Sequence, residues 1–209
     1  MQQLWCLILL SGMASLSLGG CRRTELTMPL DGPATSQEST FQQIIVQDEA
    51  VSRISPFAES THAPLVLIFT RSDCPISNRY APEVKKIVEQ FKPLQVRFWL
   101  VYPDPSLTVE KIREHLREYD YPCPGLRDPD HDLVKIAGAS ITPEVAVYDR
   151  SHRLVYRGRI DDRYVDFGKS RPQPTQRDLH DVLDALWAGT DVTFRSATAI
   201  GCRIADLSN

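Results

Sequence analysis

Residues Leu65 to Thr70 read LVLIFT, an apolar run without alternation, and the chain passes from it through Arg71-Ser72-Asp73-Cys74-Pro75 straight into an amphipathic stretch ending at Phe91. A short unbroken apolar run followed at once by helical periodicity predicts a strand covered on both faces and a helix that folds back on it. The alternation continues with a strand at Gln95 to Tyr102, a helix at Thr108 to Tyr119, a short apolar piece at Cys123 to Leu126 and a helix at about Pro129 to Ala137. This βαβα order calls for parallel strands. EVAVYDRSHRLVYRG then reads as two strands around a turn at Asp149 to His152, and a last helix, Thr175 to Trp187, carries Leu179, Val182, Leu183 and Leu186 on one face. FQQIIV, residues 41–46, is a candidate edge strand.

The 209 residues, 42% of them hydrophobic, suffice for one sizeable core and show no internal repeat. A formal net charge of -3 gives no basic excess for a nucleic-acid partner. Residues 1–20 form an apolar run ending in small residues, which predicts an export signal. Leu18-Gly19-Gly20-Cys21 resembles the lipobox of bacterial lipoproteins, which implies lipidation at Cys21 and a membrane anchor on the periplasmic side of the cell envelope. A plain signal peptide, giving a soluble periplasmic protein, and an uncleaved apolar anchor are the alternatives. Residues 21–40, rich in Pro, Ser, Thr and Gly, predict a flexible linker, residues 41–189 the folded domain and residues 190–209 a C-terminal tail.

Parallel βαβ, hairpin and closing helix follow one another here as in the thioredoxin fold. The Cys74-Pro75-Ile76-Ser77 junction falls where that fold carries its redox motif, and Thr142-Pro143 falls where it has its cis-proline. The chain thus resembles the thioredoxin-like superfamily over about Phe41 to Gly189. CPISNRYAPE, LRDPDH, TPE, YRGRIDDRY, RPQPT and a terminal Gly-Cys segment resemble a group of exported bacterial redoxin-like, AhpC/TSA-related domains. The resemblance implies an α/β fold of three layers, α/β/α, around a central mixed sheet with a C-terminal β-hairpin and closing helix. It also implies a thiol-disulfide oxidoreductase whose partner is a protein or small-molecule thiol or disulfide, with no cofactor and an external electron donor left open. A non-catalytic docking module for an envelope electron-transfer partner and a peroxide-reducing redoxin are the rival readings.

Placing Cys74 where a helix starts, with Pro75 at the first helical position, aims unpaired backbone donors at the sulfur and favours its thiolate. Arg71 and Arg79 would add to this and Asp73 would oppose it. Ser77 stands where a second cysteine would release a mixed disulfide; it can donate a hydrogen bond to the thiolate but cannot resolve. Cys202, in a tail long enough to return to the site, is the expected resolving partner, a free thiol or an intermolecular link being the alternatives. Cys123, between prolines, is expected to pack as a structural thiol. A peroxidase of this fold needs threonine three residues before the cysteine, and here that residue is Arg71. Copper delivery needs a cysteine at Asn78, and His62, His115, His131, His152 and His180 read as solvated surface residues, so no metal is expected. By the resemblance Thr142 and a cis Pro143 are expected to dock an extended partner strand, the alternative being that Pro143 merely begins an edge strand in the trans form. Arg159, Asp161, Asp162, Arg163 and Tyr164, in the loop after the hairpin, are expected to form either a recognition lip or a solvated loop with an internal Arg–Asp pair.

Overall fold

The computed structural model describes Ile44 and residues 46–206, so the expected signal, the linker with Cys21 and most of FQQIIV lie outside the described residues. The chain enters through strands β1 (Val46–Asp48) and β2 (Arg53–Ile54) and the short helix α1 (Pro56–Glu59). The unbroken apolar run becomes β3 (Leu65–Phe69), followed by α2 (Pro75–Arg79) and α3 (Ala81–Phe91). Next come β4 (Arg97–Tyr102), α4 (Val109–Glu118), β5 (Gly125–Arg127) and α5 (Asp132–Ala137). A two-residue strand, β6 (Ile141–Thr142), precedes the hairpin β7 (Glu144–Tyr148) and β8 (Leu154–Gly158). The chain continues through β9 (Tyr164–Asp166), β10 (Lys169–Ser170), α6 (Asp178–Trp187), β11 (Arg195–Ala197) and β12 (Cys202–Arg203).

β3 lies inside a mixed sheet of order β11-β8-β7-β3-β4-β5-β1-β2. It runs parallel to β4 and antiparallel to β7, and β4 runs parallel to β5. Successive strand side chains point to opposite faces, so Val66 and Ile68 join Val84, Val88, Phe91, Ile112, Leu179 and Leu183 in one core layer. Leu65, Leu67 and Phe69 join Phe57, Leu133, Val134 and Tyr148 in the other. Burial on both faces is why β3 lacks alternation. This is a thioredoxin-like α/β fold, with helices on both sides of a mixed sheet.

Two expectations need correction. The single helix from Pro75 to Phe91 is two, because Pro82 has no N–H to give the carbonyl of Asn78 and the chain bends at Tyr80, whose own N–H turns back to Ile76 and Ser77. The segment after Gly189 is not an appended tail: β11 adds in parallel to β8 at the sheet edge, and β12 pairs antiparallel with β6, setting Cys202 opposite Thr142. Two glycines permit these approaches. A side chain at Gly158, whose φ is +150°, would stand 2.1 Å from the Ala197 carbonyl oxygen, and one at Gly201 would stand 2.0 Å from that of Thr142. Among the described residues no helix is long and apolar enough to cross a membrane.

Candidate active site

Cys74 closes the loop that leaves the C-terminal end of β3 and occupies the N-cap position of α2, its carbonyl accepting the N–H of Asn78 at 3.0 Å. Its side chain is 0% exposed. As a thiol it donates to the Thr142 carbonyl at 3.3 Å, next to the Thr142–Pro143 peptide bond, which is cis. The β12–β6 pairing brings Cys202 to the same site, so Cys74, Thr142, Pro143, Ser77 and Cys202, scattered over 129 residues of sequence, meet beyond the C-terminal end of β3.

The electrostatics of this cluster turn on one sulfur. Burial pushes the Cys74 thiol up, but hydrogen bonds from the Cys202 thiol, the Ser77 N–H, the Ser77 hydroxyl and the Cys202 N–H outweigh it, and the Cys74 pKa lies below the ordinary value. The reciprocal holds for Cys202, pushed up to about 11 by burial and by its hydrogen bond and charge interaction with Cys74. Of the two sulfurs, Cys74 is therefore the more acidic and Cys202 the one that holds its proton more firmly. The Ser77 hydroxyl is buried and finds no partner of good geometry while Cys74 is a thiol. A buried orphan donor beside a titrating sulfur has its partner when that sulfur ionises.

Arg71 does not reach for the thiolate. Its guanidinium grips Asp73 at 2.8 and 3.0 Å and donates to the Arg203 carbonyl at 3.4 Å, tying the cysteine loop to β12. Arg79 is exposed. Cys123 is buried, and burial pushes its thiol up to about 12, so it is chemically quiet at neutral pH.

Two histidines expected on the surface are inside, a correction with a polar cause. His115 on α4 is buried: the Tyr102 hydroxyl donates to its Nδ1 at 2.8 Å, its Nε2–H donates to Asn78 Oδ1 at 2.9 Å, and Asn78 Nδ2 donates to the Ser72 carbonyl at 2.9 Å. This directional relay braces both flanks of Cys74, and burial holds the imidazole neutral, its pKa lowered to about 4. His131 is buried at the start of α5, with φ +58° and Nε2 donating to the Pro103 carbonyl at 2.8 Å. Neither position carries a signal in the sequence beyond helical spacing for His115. Among the described residues no group of three or more His, Cys, Asp or Glu could hold a metal ion.

The loop after β8 spends its charges internally. Arg159 pairs with Asp178 at 2.8 Å, Asp161 accepts the Tyr80 hydroxyl at 2.6 Å, and Arg163 reaches Glu83 at 3.5 Å across the Tyr80 ring. Asp162 accepts the N–H groups of Thr175 and Gln176 at 2.6 and 2.9 Å, and the Thr175 hydroxyl and these amides hold its carboxyl down to about 2. These residues fix the loop to α3 and to the approach to α6, and through Tyr80 they fix the hinge behind Cys74. The exposed apolar side chains of this loop are Val165 and Phe167.

Residues 40–157 match the sequence model of a family described as the AhpC/TSA family. No curated protein matches the sequence. In structure the chain is similar to a hypothetical protein from Sinorhizobium meliloti, with 26% identity over 77% of this chain and 89% of that one at a TM-score of 0.67. It is also similar to a secreted Mycobacterium tuberculosis disulfide oxidoreductase homologous to E. coli DsbE, with 16% identity over 72% and 98% of the two chains and a TM-score of 0.51. A third likeness is to the bacterioferritin comigratory protein of Xanthomonas campestris, described for its alkyl peroxide reduction activity: 12% identity, 72% and 94% coverage, TM-score 0.54.

Proposed function

The chain belongs to the AhpC/TSA family, and from that premise we propose that it is a thiol-disulfide oxidoreductase in which Cys74 attacks and Cys202 resolves. The observation that carries this reading is the β12–β6 pairing, which sets Cys202 opposite Thr142, the residue whose carbonyl accepts the Cys74 thiol, and with it the pKa values of the two sulfurs shift in opposite directions, Cys74 lowered and Cys202 raised. The Cys74 thiolate attacks one sulfur of a substrate disulfide, forming a mixed disulfide and expelling the other half as a thiolate. Bonding removes the negative charge from Cys74, and with it one cause of the raised Cys202 pKa. Cys202 then gives its proton to the departing thiolate, attacks the Cys74 sulfur and closes a Cys74–Cys202 disulfide as the second half of the substrate leaves. Two electrons have passed from the cysteine pair to the substrate, and an external dithiol restores the pair.

A peroxide as the oxidant is the second reading, favoured by the family itself. Against it stands Arg71, which occupies the place of the peroxide-orienting threonine and is bound to Asp73 and the Arg203 carbonyl. Peptide mapping of the oxidised protein tests the cysteine assignment: a Cys74–Cys202 link is expected, with Cys202→Ser accumulating mixed disulfides on a non-reducing gel. A Cys74–Cys123 link, or Cys202 free in every redox state, overturns it. Export and tethering through Cys21 belong to the same reading and are supported by the Leu18-Gly19-Gly20-Cys21 sequence. Cys21→Ser should then move the protein from the membrane to the soluble fraction, and unchanged retention would point to an uncleaved anchor.

A further inference from the structure

β12 lies where an extended partner would dock. It pairs antiparallel with β6, Cys202 opposite Thr142 and Arg203 opposite Ile141, with its cysteine presented to Cys74. The Thr142 hydroxyl donates to the Cys202 carbonyl at 3.3 Å, and the Ile204 N–H donates to the Ser140 carbonyl at 2.9 Å. Ile204 is buried in the core layer that also holds Leu133 and Ala139, and Arg71 holds the Arg203 carbonyl. With β12 seated Cys74 is 0% exposed, and an oxidant that must lie along β6 reaches the sulfur only when the whole strand has lifted, whereas a small disulfide needs only a local opening beside Cys202.

Resting on the exchange reading above, we propose that the C-terminal strand is a resident occupant of the partner groove, displaced in each cycle by an extended polypeptide disulfide that resembles it. Lifting the strand exposes the Ser140 carbonyl, the Thr142 backbone and hydroxyl, and the apolar seat of Ile204. A second extended strand satisfies all of these together, whereas a small disulfide fills none but the contact with sulfur. The geometry also fixes what the incoming strand must be. The residue before its cysteine is glycine, because a side chain there would stand 2.0 Å from the Thr142 carbonyl oxygen. The residue two after its cysteine is aliphatic, to fill the place of Ile204. The residue between them is read through its backbone, since Arg71 touches its carbonyl and the Arg203 side chain is exposed.

The test uses the full chain and peptides of the tail sequence Ala-Ile-Gly-Cys-Arg-Ile-Ala-Asp, each carrying a chromophoric thiol as a mixed disulfide on its cysteine. Rates of chromophore release are divided by the rate with dithiodipyridine, which cancels changes in the Cys74 thiolate fraction. In Gly201→Val and Ile204→Asp, each of which unseats the strand at a different point, the ratio for the parent peptide should rise about tenfold or more over wild type. On wild type itself, peptides with valine before the cysteine or aspartate two residues after it should react at least tenfold more slowly than the parent, so the selectivity is read even where a variant does not fold. Equal rates for all peptides, or ratios unchanged in both folded variants, overturn the inference while normal reaction with dithiodipyridine leaves the exchange reading standing. No reaction with dithiodipyridine overturns both.

Discussion

At Ser77 a single hydroxyl separates two states of the site. Buried and without a well-placed partner beside the thiol, it becomes a donor to the thiolate, so Ser77→Ala should raise the Cys74 pKa, and the ultraviolet absorbance of the thiolate should titrate at higher pH than in wild type. His115 makes the complementary statement about protons and stability. Its folded pKa of about 4 lies below the ordinary 6.5, so between those values the unfolded chain binds more protons than the native one and stability falls as pH falls. With solvent screening allowed for, the loss should be on the order of 2 kcal/mol. Denaturant titrations across that window should show it in wild type and not in His115→Gln, which cannot titrate. The placement of Cys74 and Ser77 at the start of a helix is legible from spacing along one strand-turn-helix. His115 is not, because burial of an imidazole depends on Tyr102 and Asn78, which other elements deliver.

Among elements, the loop after β8 carries charges that the sequence leaves open between a recognition lip and internal pairing, and the structure engages them in internal pairs. Arg159, Asp162 and Arg163 look like a lip, yet each is committed to α3, to α6 or to the turn before it. The Asp162 carboxylate, held down to about 2 by donors from Thr175 and Gln176, contributes stability that is complete above the ordinary value of 3.8 and is lost as pH falls from there toward 2. Asp162→Asn should lower stability at neutral pH and flatten the acid side of the stability profile over that interval, measured by thermal unfolding at each pH. An unchanged profile would mean that these hydrogen bonds are equally good without the charge. The order of strands and helices was readable because hydrophobic periodicity is local. The break at Tyr80 was also within reach, since Pro82 stands where the helix needs a donor.

Across the whole molecule, closing Cys74 to Cys202 would tie a loop on the order of 130 residues, for which chain entropy predicts stabilisation of about 4–5 kcal/mol. Oxidised protein should therefore unfold at higher temperature than reduced protein, and Cys202→Ser should abolish the difference. No gain on oxidation would indicate that the closed bond strains the β12–β6 pair. Local patterning in the sequence by itself determined the α/β order, the cysteine at the start of a helix and the serine where a second cysteine would stand. It could not place residues 190–206, because their strands are two and three residues long and are stabilised by distant partners: β8 through the bare Cα of Gly158, β6 through Gly201, and Ser140 through the Ile204 amide. In sequence Gly201-Cys202 has no packing rationale. Only the tertiary structure supplies it, since a glycine lets the strand pair closely with Thr142, far away in the chain, and the hydrogen bonds made there lower the pKa of one of two identical thiols and raise that of the other.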